Sequence, residues 1–219
     1  MLADQECIDE KQCDLIRHFV QGGGGVVATE FSSLFTGRHV RRQDFELADL
    51  FQVKAPEFVL WVEDKPLSID PVRHQVGHGR VVYIAEVKPA IAKPPAKAMT
   101  SEYWKLPVNW RELIEAVRWA GGGKLMLEVQ APNTVTTNLL RQRSTGARQI
   151  HFVNFDVTGN PHVENIKVWF RLTVGKTTPQ VRIFSPDRDQ VQSVTPVIRN
   201  GKLECELPPL NVYSLMEVR

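Results

Sequence analysis

At 219 residues, 42% of them hydrophobic and 24% charged, the chain has material for one large domain or two small ones with a substantial core. A formal net charge of +2 is too small to argue for a nucleic-acid or acidic-membrane partner. No apolar run approaches the ~18 residues of a transmembrane helix, residues 1–6 lack the basic-then-apolar text of a signal peptide, and three scattered cysteines, Cys7, Cys13 and Cys205, suit a reducing, cytoplasmic setting without a disulfide framework.

The first predicted element is a helix, with room before it for at most a strand stub at residues 1–3. Asp9 can cap it, Gln12 three residues on completes a capping box, and Ile8 can pack on Cys13 as a hydrophobic staple. Leu15, Ile16, Phe19 and Val20 recur at helical spacing as a buried stripe, and Gly22 is the natural left-handed stop. After the glycines 22–25 comes a short apolar strand, 26–30, so that helix and strand make one αβ step of a parallel sheet. Ligands of such sheets sit beyond the carboxyl ends of the strands. That rule nominates Glu30, Ser32 and Ser33 as candidate ligand-binding residues, with loop hydrogen bonding as the competing use.

A polar loop, 31–43, carries Arg38, His39, Arg41 and Arg42. Asp44 can cap a short helix, 45–51, and can pair with Arg42. Strands are expected at 58–62 and 80–87. Residues 88–106, rich in proline, alanine and lysine, read as an exposed loop. A second long helix repeats the grammar of the first: Asn109 as cap, Glu112 closing the box, Val108 stapled to Leu113, and Trp110, Leu113, Ile114 and Val117 as the buried stripe. Gly121, Gly122 and Gly123 end it.

The apolar period then changes from 3.6 to 2. Runs at 124–130, 135–142, 149–155, 165–172, 181–184, 191–194, 202–207 and 212–218 read as short strands separated by turn residues. Asn200-Gly201 between two of them is the strongest hairpin signal in the chain. About eight strands at this spacing mean a β-sandwich, and Leu203, Cys205 and Leu207 should face its core. The fold class is therefore α/β plus all-β: a partial doubly wound, flavodoxin-like sheet over residues 1–122, then an antiparallel β-sandwich over 123–219. The first part has three convincing strands where a doubly wound sheet carries five or six, and reads like the tail of something longer.

Several of these stretches resemble one family. Cys7-Ile8-Asp9-Glu10-Lys11-Gln12, Ile16-Arg17-His18-Phe19-Val20, the glycines 22–25 and Val26-Val27-Ala28-Thr29 are similar to the β-galactosidase trimerisation domain, a class I glutamine amidotransferase-like fold. Arg42-Gln43-Asp44-Phe45-Glu46-Leu47-Ala48-Asp49-Leu50-Phe51-Gln52-Val53 resembles its next block and Gly79-Arg80-Val81-Val82-Tyr83 its late strand. Gln149-Ile150-His151-Phe152-Val153-Asn154-Phe155 resembles the first core strands of the closing β-sandwich of such glycosidases. In that family the catalytic carboxylates lie on a (β/α)₈ barrel, which needs ~250 residues of its own and is not in this sequence. The resemblance thus implies a non-catalytic segment of a glycoside-hydrolase-like protein, acting in subunit assembly, with self-association or the remainder of a glycosidase as partner and no cofactor.

Other readings compete with it. An active amidotransferase-like hydrolase would need its cysteine on a strand-to-helix elbow between glycines. Cys7 stands instead between Glu6 and Ile8, ahead of a capped helix. Paired carboxylates for glycoside hydrolysis need a partner within about 5 to 9.5 Å, and the sequence nominates none for Glu30. His74 and His78 are four apart, but Gly77 and Gly79 argue against a helix, so they read as exposed loop histidines and no metal site is assigned. His151 reads as a hydrogen-bonded structural histidine. Arg38, Arg41 and Arg42, like Arg141, Arg143 and Arg148, read as solvated faces. Trp104, beside the proline-rich loop, is a candidate for stacking on a sugar, which makes a carbohydrate-binding module the alternative function.

Overall fold

The computed structural model describes residues 1–57, 65–91, 105–156, 161–172 and 179–219. The expected strand at 58–62 and Trp104 lie outside them. The chain divides into two compact units, Met1–Lys124 and Leu125–Arg219. The described residues are mostly β, with twelve strands in three sheets against three helices.

The first unit is built on a three-stranded sheet in the order β1-β3-β2, formed by β1 (Gly25–Thr29), β2 (Val72–Val76) and β3 (Gly79–Ile84). Strands β1 and β3 are parallel, and β2 returns antiparallel on β3. Both parallel strands carry apolar residues on both faces, as a covered sheet requires. On one side Val26, Ala28, Val81 and Tyr83 pack with Ile8, Cys13 and Val20 from α1 (Glu10–Gln21) and its approach, and with Leu50 and Phe51 of α2 (Ala48–Phe51). On the other, Val27, Val82 and Ile84 pack with Ala116 and Ala120 of α3 (Trp110–Ala120). The stub at the amino terminus is real: Leu2 bridges Ala28 in parallel, its N–H donating to the Val27 carbonyl at 2.7 Å while its own carbonyl accepts from Thr29 at 3.0 Å.

Helix α1 starts as its sequence dictates. The Asp9 carboxylate accepts from the Gln12 N–H at 2.8 Å, and the Gln12 side chain accepts from the Asp9 N–H at 3.1 Å. Its buried stripe is narrower than expected, because Leu15 and Phe19 are 62% and 58% exposed, and Gly22 has φ −75° so that the left-handed turn falls on Gly23. Helix α3 departs further. Its buried residues are the small ones, Ala116 and Ala120, while Ile114 and Val117 are exposed. A close approach of helix to sheet leaves room for alanine there, with Leu113 and Trp119 packed half-buried at the edge and Ile114 and Val117 turned outward. Asn109 does not cap. Its side-chain oxygen accepts from the Lys88 N–H (2.9 Å) and its amide donates to the Glu86 carbonyl (2.9 Å) and to Glu112 (3.1 Å), so it clamps the exit of β3, and Val108 is 69% exposed instead of forming a staple.

Three further expectations are corrected. The helix predicted from Phe45 is only Ala48–Phe51 and has no side-chain cap; Asp44 accepts instead from the N–H groups of Phe45 and Ala55. Arg42 pairs with Glu46 at 3.2 Å, one turn away, and not with Asp44. His74 is no exposed loop residue. It sits half-buried on β2, facing the way Val72 and Val76 do, and both ring nitrogens are buried without a hydrogen-bond partner.

The second unit holds two antiparallel sheets. One has the order β10-β11-β7-β4, the other β5-β6-β12-β8-β9. The strands are β4 (Leu127–Gln130), β5 (Val135–Arg141), β6 (Arg148–Asn154), β7 (Ile166–Arg171), β8 (Val181–Phe184), β9 (Gln192–Val194), β10 (Val197–Arg199), β11 (Lys202–Leu207) and β12 (Tyr213–Val218). Their inward alternates, among them Ile150, Phe152, Val168, Phe170, Ile183, Leu203 and Met216, make one core, which is the β-sandwich arrangement. Asn200 and Gly201 take φ +50° and +73° between β10 and β11, the two left-handed residues that a type I′ hairpin demands.

Glu217 on β12 is nearly fully buried, yet charged partners surround it. Arg182 donates to it from Nε at 3.1 Å and from Nη2, and Arg219 pairs with it at 2.9 Å. Burial alone pushes its carboxyl up, but the two guanidinium groups outweigh that and hold it below the usual carboxylate range. A depressed acid contributes stability above its unfolded value, about 4.3, and loses it as pH falls toward the folded value. The advantage of wild type over Glu217→Gln in urea denaturation is therefore expected to be full at neutral pH and to shrink from about pH 5 downward. A gap that stays constant through acid would show that the carboxylate charge is not what stabilises this end of the sandwich.

Candidate functional site

The carboxyl ends of the two parallel strands are where chemistry is expected, and three segments meet there. Glu30 follows β1 in a left-handed conformation, φ +49°, which breaks the strand. Its N–H donates to the Ile84 carbonyl (2.9 Å), its own carbonyl accepts from the Tyr83 hydroxyl (2.7 Å), and its carboxylate accepts from the Val87 N–H (3.3 Å). Burial pushes the Glu30 carboxyl up; the Val87 hydrogen bond opposes this, and the nearby carboxylates of Asp4 and Glu86 add to it. Glu30 is thus half-buried and tied at three points to β3 and its exit.

Ser32 and Ser33 lie beside it but point inward, and both are buried. The Ser32 hydroxyl donates to the Thr29 carbonyl (2.7 Å) and accepts from the Gln5 N–H (3.1 Å). The Ser33 hydroxyl accepts from the Leu47 N–H at 3.2 Å. Asp4 completes this arrangement, its N–H donating to the Thr29 hydroxyl (2.9 Å) and its carboxylate accepting from the Phe31 N–H (3.1 Å). These polar side chains stitch the residues before α1 to the end of β1. Burying so many backbone groups leaves them needing partners, and short hydroxyl side chains supply them.

Beyond β3 lies an open groove of about 410 Å³ lined by Leu67, Asp70, Ile84, Glu86, Lys88 and Glu112 among others. Three carboxylates and one ammonium give it a polar, net acidic lining. Sequence reasoning missed it because Asp70 and Glu112 are forty residues apart and only the fold joins them; the strand-end rule named the right end of the sheet but stopped at β1.

The remaining candidates are dispersed. Cys13 is buried and Cys205 half-buried, and desolvation pushes both thiols up to about 11, which disfavours the reactive thiolate. Cys7 pairs through its backbone with Phe35 ahead of α1. His151 accepts or donates at 2.8 Å with the Tyr213 hydroxyl across β6 and β12, the structural role expected of it. Arg41 and Arg42 are not solvated: Arg41 donates to the carbonyls of Arg42 and Pro56 at 2.8 and 2.7 Å, and Arg42 donates to those of Ile8 (2.9 Å), Ser33 (3.2 Å) and Phe35. Arg141 and Arg143 are exposed. Among the described residues no group of three or more His, Cys, Asp or Glu is placed to hold a metal ion, and no helix is long and apolar enough to cross a membrane.

No protein-family model matches the chain, and no curated protein sequence matches it. Solved structures do. The α-L-fucosidase isoenzyme 2 from Paenibacillus thiaminolyticus aligns with 100% of this chain and 40% of its own, at 13% identity and a TM-score of 0.54. A β-galactosidase from Bacillus circulans sp. alkalophilus aligns with 99% of this chain and 32% of its own, at 14% identity and a TM-score of 0.50. A GH42 β-galactosidase from G. stearothermophilus aligns over 99% and 31%, at 12% identity and a TM-score of 0.49. The chain spans less than half the length of each of these proteins, and at such identities the likeness is one of fold. The chain therefore has a glycoside-hydrolase-like fold, one that recurs within larger glycosidase chains.

Proposed function

We propose that this chain is a non-catalytic, glycosidase-associated segment whose role is assembly: its α/β unit joins a second copy or the remainder of a glycosidase, and its β-sandwich closes the structure. On this reading the first unit is a reduced amidotransferase-like trimerisation domain. The parallel β1–β3 pair, with α1 and α2 on one face and α3 on the other, supports that. The observation that carries an assembly role is the apolar surface left on the helices. Leu15 and Phe19 lie one turn apart on the outer side of α1, and Ile114 and Val117 do so on α3. Side chains spaced three or four apart form a continuous row along a helix, and such rows exposed on a small unit mark contact surfaces.

Sedimentation of the purified chain over a concentration series tests this. Association is expected, and Leu15→Glu or Ile114→Glu is expected to shift it toward monomer by tenfold or more in dissociation constant, since a charge facing an apolar partner opposes ~1.4 kcal/mol of binding or more. Both positions are exposed, so neither change should lower the urea midpoint. A wild type that stays monomeric alone, and that binds no glycosidase barrel encoded beside it, would remove the assembly reading.

A further inference from the structure

We propose that the outer face of the four-stranded sheet is a binding surface for a neutral saccharide, with Trp169 as its stacking platform. This goes beyond the assembly role and stands on the β-sandwich unit alone. Along β7, Ile166, Val168 and Phe170 are buried in the core, so strand alternation places Lys167, Trp169 and Arg171 on the opposite, outer face. The register then sets the neighbours. Glu204 of β11 stands directly opposite Trp169 on one side and Glu128 of β4 on the other. One step along the same strands, Lys167 lies between Glu206 and Gln130. Val197 of β10, half-exposed, lies beyond Glu204. Lys167, Trp169, Val197, Glu204, Cys205 and Glu206, among others, line a shallow hollow of about 160 Å³.

Each feature suits a sugar ring. A half-buried indole on this face keeps some apolar ring area in water, and the C–H face of a pyranose can cover it. A hydroxyl both donates and accepts, so it finds a partner in a carboxylate, an ammonium or an amide alike, and this face offers all three around one aromatic plane. The charges alternate: Lys167, Arg171, Arg199 and Lys202 against Glu128, Glu204 and Glu206. Lys202 holds Glu128 at 2.6 Å, and Arg199 approaches Glu204 at 4.0 Å. A ligand with a net charge of either sign would meet repulsion along with attraction, whereas a neutral polyol meets only hydrogen-bonding groups. The volume is about half the low end of drug-sized pockets, ~300 Å³, and admits one ring rather than a large ligand. The exposed apolar area of the hollow, chiefly the indole and Val197, is too small to nucleate a protein interface, which buries roughly 800 Å² on each partner around an apolar core. Because the contributing positions lie on paired strands, the platform is held in place before any ligand arrives.

The test is saturation-transfer NMR and isothermal titration of the full chain with galactose, fucose, glucose and their β-linked disaccharides. Binding of at least one neutral sugar is expected, weakened about tenfold or more by Trp169→Ala and severalfold by Glu204→Gln, with Trp169→Tyr retaining most of it. All three changes are on a solvent face, and unchanged circular dichroism and urea midpoints confirm that the sandwich is intact. Three results overturn the proposal: no transfer from any of these sugars, binding that Trp169→Ala leaves unaltered, or a change in sedimentation with Trp169→Ala that marks the face as a contact between copies. The assembly reading is probed separately by Leu15→Glu and Ile114→Glu, so either idea can fail while the other survives.

Discussion

Gly79→Ala is expected to destabilise the α/β unit by about 3 kcal/mol or more, a large fraction of the total stability of a domain. Gly79 opens β3 where the end of α1 crosses it. A methyl group built there would overlap the carbonyl oxygens of Val20 and Gly24, both closer than the 3.0 Å that real Cβ atoms respect. Neither obstacle is a side chain that can turn aside. The Val20 carbonyl belongs to the last turn of α1, and relieving the clash means lifting the helix off the sheet, with Cys13 and Val20 losing their places in the core. Gly25 stands in the same relation to the last residue of α3, since its methyl would overlap the Ala120 carbonyl. Gly24→Ala is the control. There the obstacle is the Phe19 ring, an exposed side chain that can swing into solvent, and the cost should be well under that of Gly79→Ala. Urea unfolding followed by circular dichroism orders the three. Equal effects at Gly24 and Gly79 would mean that the helix is free to move and that the close approach constrains nothing.

Arg42→Ala is the second large effect, expected at about 2–3 kcal/mol. The Arg42 side chain, 13% exposed, donates to the carbonyls of Ile8, Ser33 and Phe35 and pairs with Glu46. It is the common partner of the residue before α1, the loop after β1 and the approach to α2. Truncation takes the guanidinium away from the Ile8 carbonyl and leaves the Ser33 and Phe35 carbonyls with the N–H groups of Glu46 (3.1 Å) and Ile8 (3.2 Å) alone; a buried group left unpaired costs about 1–3 kcal/mol, and Glu46 keeps Arg17 as its remaining cation, at 3.6 Å. Arg42→Lys should rescue little, because a single ammonium cannot reproduce the planar fork that reaches three acceptors at once. A lysine variant as stable as wild type would show that charge alone matters here.

The sandwich was the more legible half of the chain, for a physical reason. Period-two alternation and turn residues are local signals, and an Asn-Gly pair fixes a hairpin within four residues. Where these signals are short the reading fails: β10 is only Val197, Ile198 and Arg199, next to Pro196, too brief to show alternation. In the α/β unit the capping box of α1 was legible because both partners lie within one turn. The Asn109 cap was not, because Asn109 found better-placed partners at Glu86 and Lys88, twenty residues back, and no sequence pattern announces that. The apolar residues of β1 and β3 were found, those of β2 were not, and which helix residues face the sheet was misjudged. Large aliphatic residues at helical spacing signal burial only if something covers them, and on α3 the closeness of the sheet selects alanine instead. The strand-end rule located Glu30, Ser32 and Ser33 at the correct end of β1. It could not reveal that the two hydroxyls would be turned inward to hold residues 2–5, or that Asp70 and Glu112 would line a groove beside them.

The tie at Leu2 has a practical corollary. Because its two backbone hydrogen bonds run to the outer side of β1, Leu2→Pro, which has no N–H to give, bares the Val27 carbonyl and loosens the bond from the Thr29 amide. Such a variant should be stickier than the wild type, pairing strand to strand through that newly opened flank.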